Sequence, residues 1–134
     1  MISAAARAAA QYQRTAVECG TPLELVVKLY DGAIANLDKA RTGASTGNML
    51  LRKEGLSKAM AIVSHLQSTL NMTAGGEISA KLDSLYTYVI GRLVEANTKK
   101  DPRALDEVHR LLSTLRDGWK QIATTQTGEA PARP

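Results

Sequence analysis

The sequence predicts an all-α fold, an antiparallel four-helix bundle carrying an additional short N-terminal helical arm. Three observations predict it. The 134 residues are 44% hydrophobic but hold no Phe, one Trp and four Tyr, so the apolar mass is aliphatic and rich in Ala and Leu, both strong helix formers. Four separate stretches repeat apolar residues every three or four positions. No stretch of useful length alternates apolar and polar residues in the manner of a half-buried strand. At this length one domain can bury a core without disulfide or metal staples.

The first bundle helix has the most explicit start. Thr21 is a capping hydroxyl and Pro22 takes the first helical position, where an absent N–H costs nothing. Glu24, three residues past the cap, can bond back to its backbone. Behind this signal Leu23, Val26, Val27, Tyr30, Ala33, Ile34, Leu37 and Ala40 form one apolar stripe, and Leu25 and Leu29 a narrower second one. Together they cover more of the helix than one core seam needs. Residues 42–48, Thr-Gly-Ala-Ser-Thr-Gly-Asn, are small and polar and predict a loop. A second helix follows from about Met49 to Met72, striped by Leu56, Ala59, Ile62, Val63, Leu66 and Leu70, and Thr73-Ala74-Gly75-Gly76 stops it.

Glu77 opens the third helix, where a carboxylate suits the helix dipole. Its stripe is Ile78, Leu82, Leu85, Tyr86, Val89, Leu93 and Ala96, and Asn97 to Lys100 end it. Asp101-Pro102 repeats the cap-and-proline start, and the fourth helix carries Leu105, Val108, Leu111, Leu112, Leu115, Trp119 and Ile122. Helices of roughly 20–25 residues, about 30–35 Å long, joined by short loops, make sequential helices opposed neighbours. The bundle spans residues 21–123. Residues 1–20 form an Ala-rich arm with a weak apolar face, and residues 124–134 a polar tail expected to be disordered.

Charge and cysteine content narrow the function. The net charge of +4 and isoelectric point near 9.4 are mild, and the densest basic cluster is only Lys99, Lys100 and Arg103. Nucleic-acid binding calls for a concentrated basic face, so none is expected. The single cysteine, Cys19, excludes an internal disulfide and a multi-cysteine metal site, and suits a reducing compartment. The N-terminus lacks the apolar core of a signal peptide. Residues 59–76 are uncharged but broken by polar and Gly residues, which predicts no membrane insertion. A cytoplasmic protein is expected.

Catalytic constellations are missing. Di-metal bundle sites need Glu-x-x-His on two helices, whereas the two histidines, His65 and His109, have no such partners, Glu107 facing away from His109. Neither a Gly-x-Ser-x-Gly elbow, a Cys–His pairing nor a phosphate loop after a strand occurs. The sequence points to no enzyme, no metal and no cofactor.

What remains is apolar surface. Gly32 follows Tyr30-Asp31 inside a strongly periodic helix and costs about 1 kcal/mol relative to Ala there; either a neighbouring helix packs closely on it or a partner's backbone does. Tyr86 and Tyr88, two positions apart, point to different faces, so one can be core while the other keeps its hydroxyl at a surface. Leu25, Leu29, Ile90 and Val94 lie in second stripes beside the core stripes. Singly they are ordinary surface residues; contiguous, they make a partner groove.

Thr21-Pro22-Leu23-Glu24-Leu25-Val26-Val27-Lys28-Leu29-Tyr30-Asp31-Gly32-Ala33-Ile34 resembles the signature of the flagellar secretion chaperone FliS family. Matches continue in register through Lys58-Ala59, Gly75-Gly76-Glu77-Ile78, Leu82, Leu85-Tyr86-x-Tyr88, Leu93, Ala96-Asn97, Glu107-Val108, Leu111-Leu112 and Trp119-Lys120-Gln121-Ile122. The resemblance covers about Tyr12 to Ile122. Asn71-Met72-Thr73, where members usually carry an acidic residue, and the Ala-rich arm depart from it.

The resemblance implies an export chaperone that binds the disordered C-terminal segment of flagellin, prevents premature polymerisation and presents the subunit to the type III export gate. A co-chaperone or regulatory protein is a further implied partner, and the chain is expected to be a monomer or weak dimer. The implied groove residues are Tyr12, matching the tyrosine of the family's arm, with Leu25, Leu29, Tyr30, Gly32, Tyr86, Tyr88, Ile90 and Val94. The arm is implied to occupy part of that groove until flagellin displaces it. The competing reading is a structural bundle that homodimerises through its apolar surface.

Overall fold

The computed structural model describes residues 22–70 and 75–128. Among them the chain forms four helices and no strand: α1 (Pro22–Thr46), α2 (Met49–Ser68), α3 (Gly76–Lys99) and α4 (Pro102–Gly128). The expectations for the arm, Thr21, Tyr12 and Cys19 lie outside the described residues.

The helices form a ring in which α1 and α3 each lie against both α2 and α4. Leu37, Leu56, Leu93, Leu105 and Leu112 are fully enclosed at its centre together with Tyr30, Val63, Val89 and Val108. Each such aliphatic side chain is worth roughly 1.5–3 kcal/mol relative to exposure. Early residues of one helix meet late residues of the next. On α1 and α4, Asp31 meets Arg116 at 2.7 Å, Asp38 meets His109 at 2.9 Å and Arg41 meets Asp106 at 3.3 Å. Between α2 and α3, the Arg52 guanidinium donates to the Ala96 carbonyl near one end. Near the other, the Gln67 amide donates to the Asp83 carboxylate (3.0 Å) and the Thr87 hydroxyl (2.8 Å).

The α1–α2 contact is the closest in the ring, and two glycines make it so. A Cβ on Gly55 would lie 2.4 Å from the Asn36 carbonyl oxygen and 2.7 Å from the Ala40 nitrogen; one on Gly43 would lie 2.4 Å from the Arg52 nitrogen. Both glycines sit backbone against backbone. Gly43 also explains why residues 42–48 are not the loop their composition predicts. The helix continues to Thr46, with the Ser45 and Thr46 hydroxyls donating back to the Thr42 carbonyl at 3.2 and 2.8 Å. Only Gly47, at φ 76°, and Asn48 turn the chain. Asn48 then caps α2, its side-chain oxygen accepting from the Leu51 N–H at 3.0 Å.

Other boundaries follow their signals more closely. Gly76 takes φ 53° at the start of α3, and Lys100 ends it at φ 54°. Asp101 caps α4 through the Arg103 N–H at 3.0 Å. That bond, with the Arg103 guanidinium, holds the Asp101 carboxyl below the usual carboxylate range. α2 stops at Ser68, short of Met72. α4 runs past Thr124 to Gly128, where a polar tail was expected to have begun.

The stripes themselves need correction. Leu25 and Leu29, read as lying beside the core, are buried in it. α1 packs more extensively against its two neighbours, α2 and α4, than any other helix does, so a wider apolar arc of it is covered. Ile78 and Ile122, read as core, are 68% and 47% exposed. They stand at the start of α3 and late in α4, on the two sides of the same seam near its end.

Gly55→Ala is expected to destabilise the protein by about 1–3 kcal/mol, because the added methyl meets backbone that cannot rotate away. Urea unfolding should show the midpoint falling, against the small rise that helix propensity alone would give.

Candidate binding surface around α3

α3 is placed by polar contacts on three sides. In the core, the Tyr30 and Tyr86 hydroxyls are 2.6 Å apart, joining α1 to α3 across the ring. The Trp119 indole N–H, which can only donate, faces the Tyr30 hydroxyl from α4 and favours its ionised form, against the larger effect of burial. Burial raises both phenol pKa values, so these hydroxyls stay protonated at any physiological pH.

On the flank toward α4, Tyr88 donates to Glu107 at 2.7 Å, and Arg92 bridges Glu107 at 2.6 Å and Glu95 at 2.9 Å. Bonds from Tyr88 and then Arg92 lower the Glu107 carboxyl pKa, and the same Glu107 bond raises that of Tyr88. This clasp closes one end of the α3–α4 seam. Glu107 begins a line on α4 that continues at helical spacing through Leu111, Thr114, Gly118 and Ile122. A Cβ at Gly118 would meet no described residue within 4 Å. On the opposing helix Leu85 and Leu82 are half-buried and Ile78 is exposed. Leu115 and Trp119 are half-buried on α4, so the seam beyond the clasp is lined largely by apolar side chains packed on the core and is open at Gly118.

The other flank of α3 faces α2. Asp83 and Thr87, held by Gln67, are followed seven residues on by Ile90 and Val94, and so share their side of the helix. Ile90 is half-buried and Val94 is 45% exposed. Of the six exposed large apolar side chains among the described residues, α3 carries three, Ile78, Tyr88 and Val94. The candidate surface is therefore α3 with its two seams. Among the described residues no group of His, Cys, Asp and Glu is placed to hold a metal, and no helix is long and apolar enough to cross a membrane.

Comparison with known proteins now bears on this surface. The family model for flagellar protein FliS matches residues 5–126. The chain belongs to the FliS family. It is 40% identical to the flagellar secretion chaperone FliS of Salmonella typhimurium over 110 residues, covering 81% of this chain and 82% of that one. It is 39% identical to the flagellar secretion chaperone FliSB of Pseudomonas aeruginosa over 124 residues, covering 89% and 98%. The Bacillus subtilis flagellar secretion chaperone FliS is 37% identical over 115 residues, covering 86% and 85%.

In this FliS-family chain the nine residues named from sequence do not share one place. Tyr12 lies outside the described residues. Leu25, Leu29, Tyr30 and Tyr86 are in the core. Gly32 is half-buried with the Ile62 side chain over it, a methyl group 3.4 Å from where its Cβ would be; α2 packs there. Tyr88 stands on the α4 flank of α3, and Ile90 and Val94 on the α2 flank. Sequence reading missed Gly118, and it assigned Ile78, Leu82, Leu85 and Ile122 wholly to the core. Nothing in sequence marks Gly118 as open, since Gly55 is also mid-helix yet fully packed.

Removing the Tyr30 hydroxyl leaves Trp119 and Tyr86 short of a partner. Tyr30→Phe should cost about 1–3 kcal/mol. In a double-mutant cycle, adding Tyr86→Phe should cost much less in that background than in the wild type; strictly additive losses would argue against the bond.

The clasp has a pH signature. The folded Glu107 pKa lies below its ordinary value of 4.5, so its stabilisation is complete above that value. It is lost as the pH falls through the lowered folded value. Glu107→Gln should therefore flatten the acid limb of a stability–pH curve, and should alter the alkaline side only where Tyr88 titrates, because the Glu107 bond raises the Tyr88 pKa.

Proposed function

We propose that this chain is a cytoplasmic export chaperone that holds the disordered C-terminal segment of flagellin. It prevents premature polymerisation and hands the subunit to the flagellar type III export apparatus. Membership of the FliS family supports the reading, as does the name flagellar secretion chaperone shared by its relatives. The observation that carries it in this chain is the largely apolar seam between α3 and α4, open at Gly118, beyond the Tyr88–Glu107–Arg92 clasp. An amphipathic helix fits such a seam with anchors at i, i+3 or i+4, and i+7.

A segment with too little apolar surface to fold alone takes on its ordering cost at the moment of binding. Ile78, Leu82, Leu85 and Ile122 offer the surface that offsets this cost, with Gly118 as the notch that admits a bulky side chain. Tyr88, Ile90 and Val94 are the accessible members of the sequence-derived set, and they let the segment wrap across α3 from one seam to the other. Leu25, Leu29, Tyr30 and Tyr86 act from inside, by fixing α3 on α1. In the same reading the helices form an antiparallel bundle. Residues 1–20, with Tyr12, are an arm that competes for the groove. The export gate and a co-chaperone or regulator are its further partners.

Calorimetry against a peptide of the same organism's flagellin C-terminus tests this. The wild type should bind 1:1 with a large negative heat-capacity change, the mark of apolar burial and coupled folding. Gly118→Phe should weaken binding at least about tenfold, roughly 1.4 kcal/mol, without loss of thermal stability, because Phe is the better helix former. Absence of heat with the wild type would overturn the flagellin reading; unaltered affinity in Gly118→Phe would move the site off this seam.

A further inference from the structure

At the far end of the bundle from the open seam, where α1 and α3 end and α2 and α4 begin, lies an open cavity of about 870 Å³. Six charged side chains line it: Arg41, Arg52 and Lys100, with Asp38, Asp101 and Asp106. Their signs balance, but their partners do not. Asp38 is taken by His109 at 2.9 Å and Arg41 at 3.6 Å, Asp106 by Arg41 at 3.3 Å, and Asp101 by the Arg103 N–H and guanidinium at 3.0 and 3.3 Å. All three carboxylates and Arg41 are thereby occupied. Arg52 and Lys100 have no carboxylate partner among the described residues.

Arg52 is the unusual member. Only 5% of it is exposed, yet its bond is to a backbone carbonyl, that of Ala96, which engages one of its five N–H donors. A buried cation is costly unless an anion accompanies it, and bidentate pairing with a carboxylate is what a guanidinium fork is shaped for. No side-chain nitrogen of Arg52 is both sealed from solvent and unbonded, and Arg52 is one of the residues lining the cavity. Lys100, exposed, adds a second cation with no carboxylate partner among the described residues.

We propose that this cavity is a carboxylate-binding site, with Arg52 as the fork and Lys100 as the outer charge, receiving the carboxylate of a partner peptide. The site is independent of the flagellin seam and stands or falls without it. Its chemistry can be met by a chain-terminal carboxylate or by an acidic side chain. Arg52 is anchored to α3 through Ala96 and its own nitrogen rests on Gly43 of α1. An anion there touches the junction of three helices.

Amide and guanidinium NMR shifts of the full chain, titrated with three small compounds, test the proposal. N-acetyl-alanyl-alanine carries only a terminal carboxylate, its C-terminal amide carries no charge, and N-acetyl-glutamyl amide carries only a side-chain carboxylate. Saturable shifts at Gly43, Arg52 and Arg103 with either acid, and none with the neutral amide, are expected; the better acid identifies the source. Lys100→Asn removes the outer charge while Asn still suits the left-handed backbone, and should weaken binding about two- to fivefold. Arg52→Gln should weaken it more than about tenfold. Equal shifts with the neutral amide, no saturable shift with either acid, or unchanged affinity in Lys100→Asn would overturn the proposal even if Arg52→Gln fails to fold.

Discussion

The hydrogen bond between Tyr30 and Tyr86 is the constraint on which the rest of the arrangement depends. It crosses the ring from α1 to α3, one of the two diagonal pairs of helices that do not otherwise approach closely. The Trp119 side chain faces the Tyr30 hydroxyl from α4, so three helices converge on two buried oxygens. Apolar packing alone tolerates small slides of one helix over another. Directional bonds between buried polar groups do not, because a displaced helix leaves each of them unpaired at a cost of about 1–3 kcal/mol. Gln67 and Glu107 repeat this on the two flanks of α3. α3 is thus located by a few polar points and leaves apolar surface between them uncovered.

The two sides of the ring use glycine in opposite ways. Gly43 and Gly55 bring the α1 and α2 backbones together until no side chain fits between them. Gly118 leaves a space that nothing described fills. A close-packed pair resists rearrangement because its atoms are in van der Waals contact along the whole interface. The α3–α4 seam, proposed as the binding surface, lies apart from that pair. A rigid half and an accessible half in one small bundle suit a protein that must hold another chain and stay folded itself.

Much of the fold could be read from the sequence because its signals are local. Asp101-Pro102 announces α4, Glu77 announces α3, and the apolar stripes of all four helices are visible in the spacing of Leu, Val and Ala. What escaped reading is non-local. Tyr30 and Tyr86 are far apart in sequence, and nothing near either one names the other. Leu25 and Leu29 entered the core because α1 packs more extensively on its neighbours than any other helix does, a property of the assembled ring. Ile78 and Ile122 left it because they lie at one end of the α3–α4 seam, which periodicity cannot register. The same holds for the candidate surface: Tyr88, Ile90 and Val94 were singled out from spacing, but only the coordinates separate them onto two flanks and distinguish the empty Gly118 from the filled Gly55.

The short Gly47–Asn48 turn also bears on the order in which the bundle assembles. Loop-closure entropy grows with the length of chain enclosed, so α1 and α2, joined by two residues and zipped by Gly43 and Gly55, form the pair that is easiest to close. Both are complete by Ser68, and during vectorial synthesis this hairpin can form while α3 and α4 are still within the ribosome. The later helices then dock on a finished template. The half of the molecule with the open seam is the last to be made.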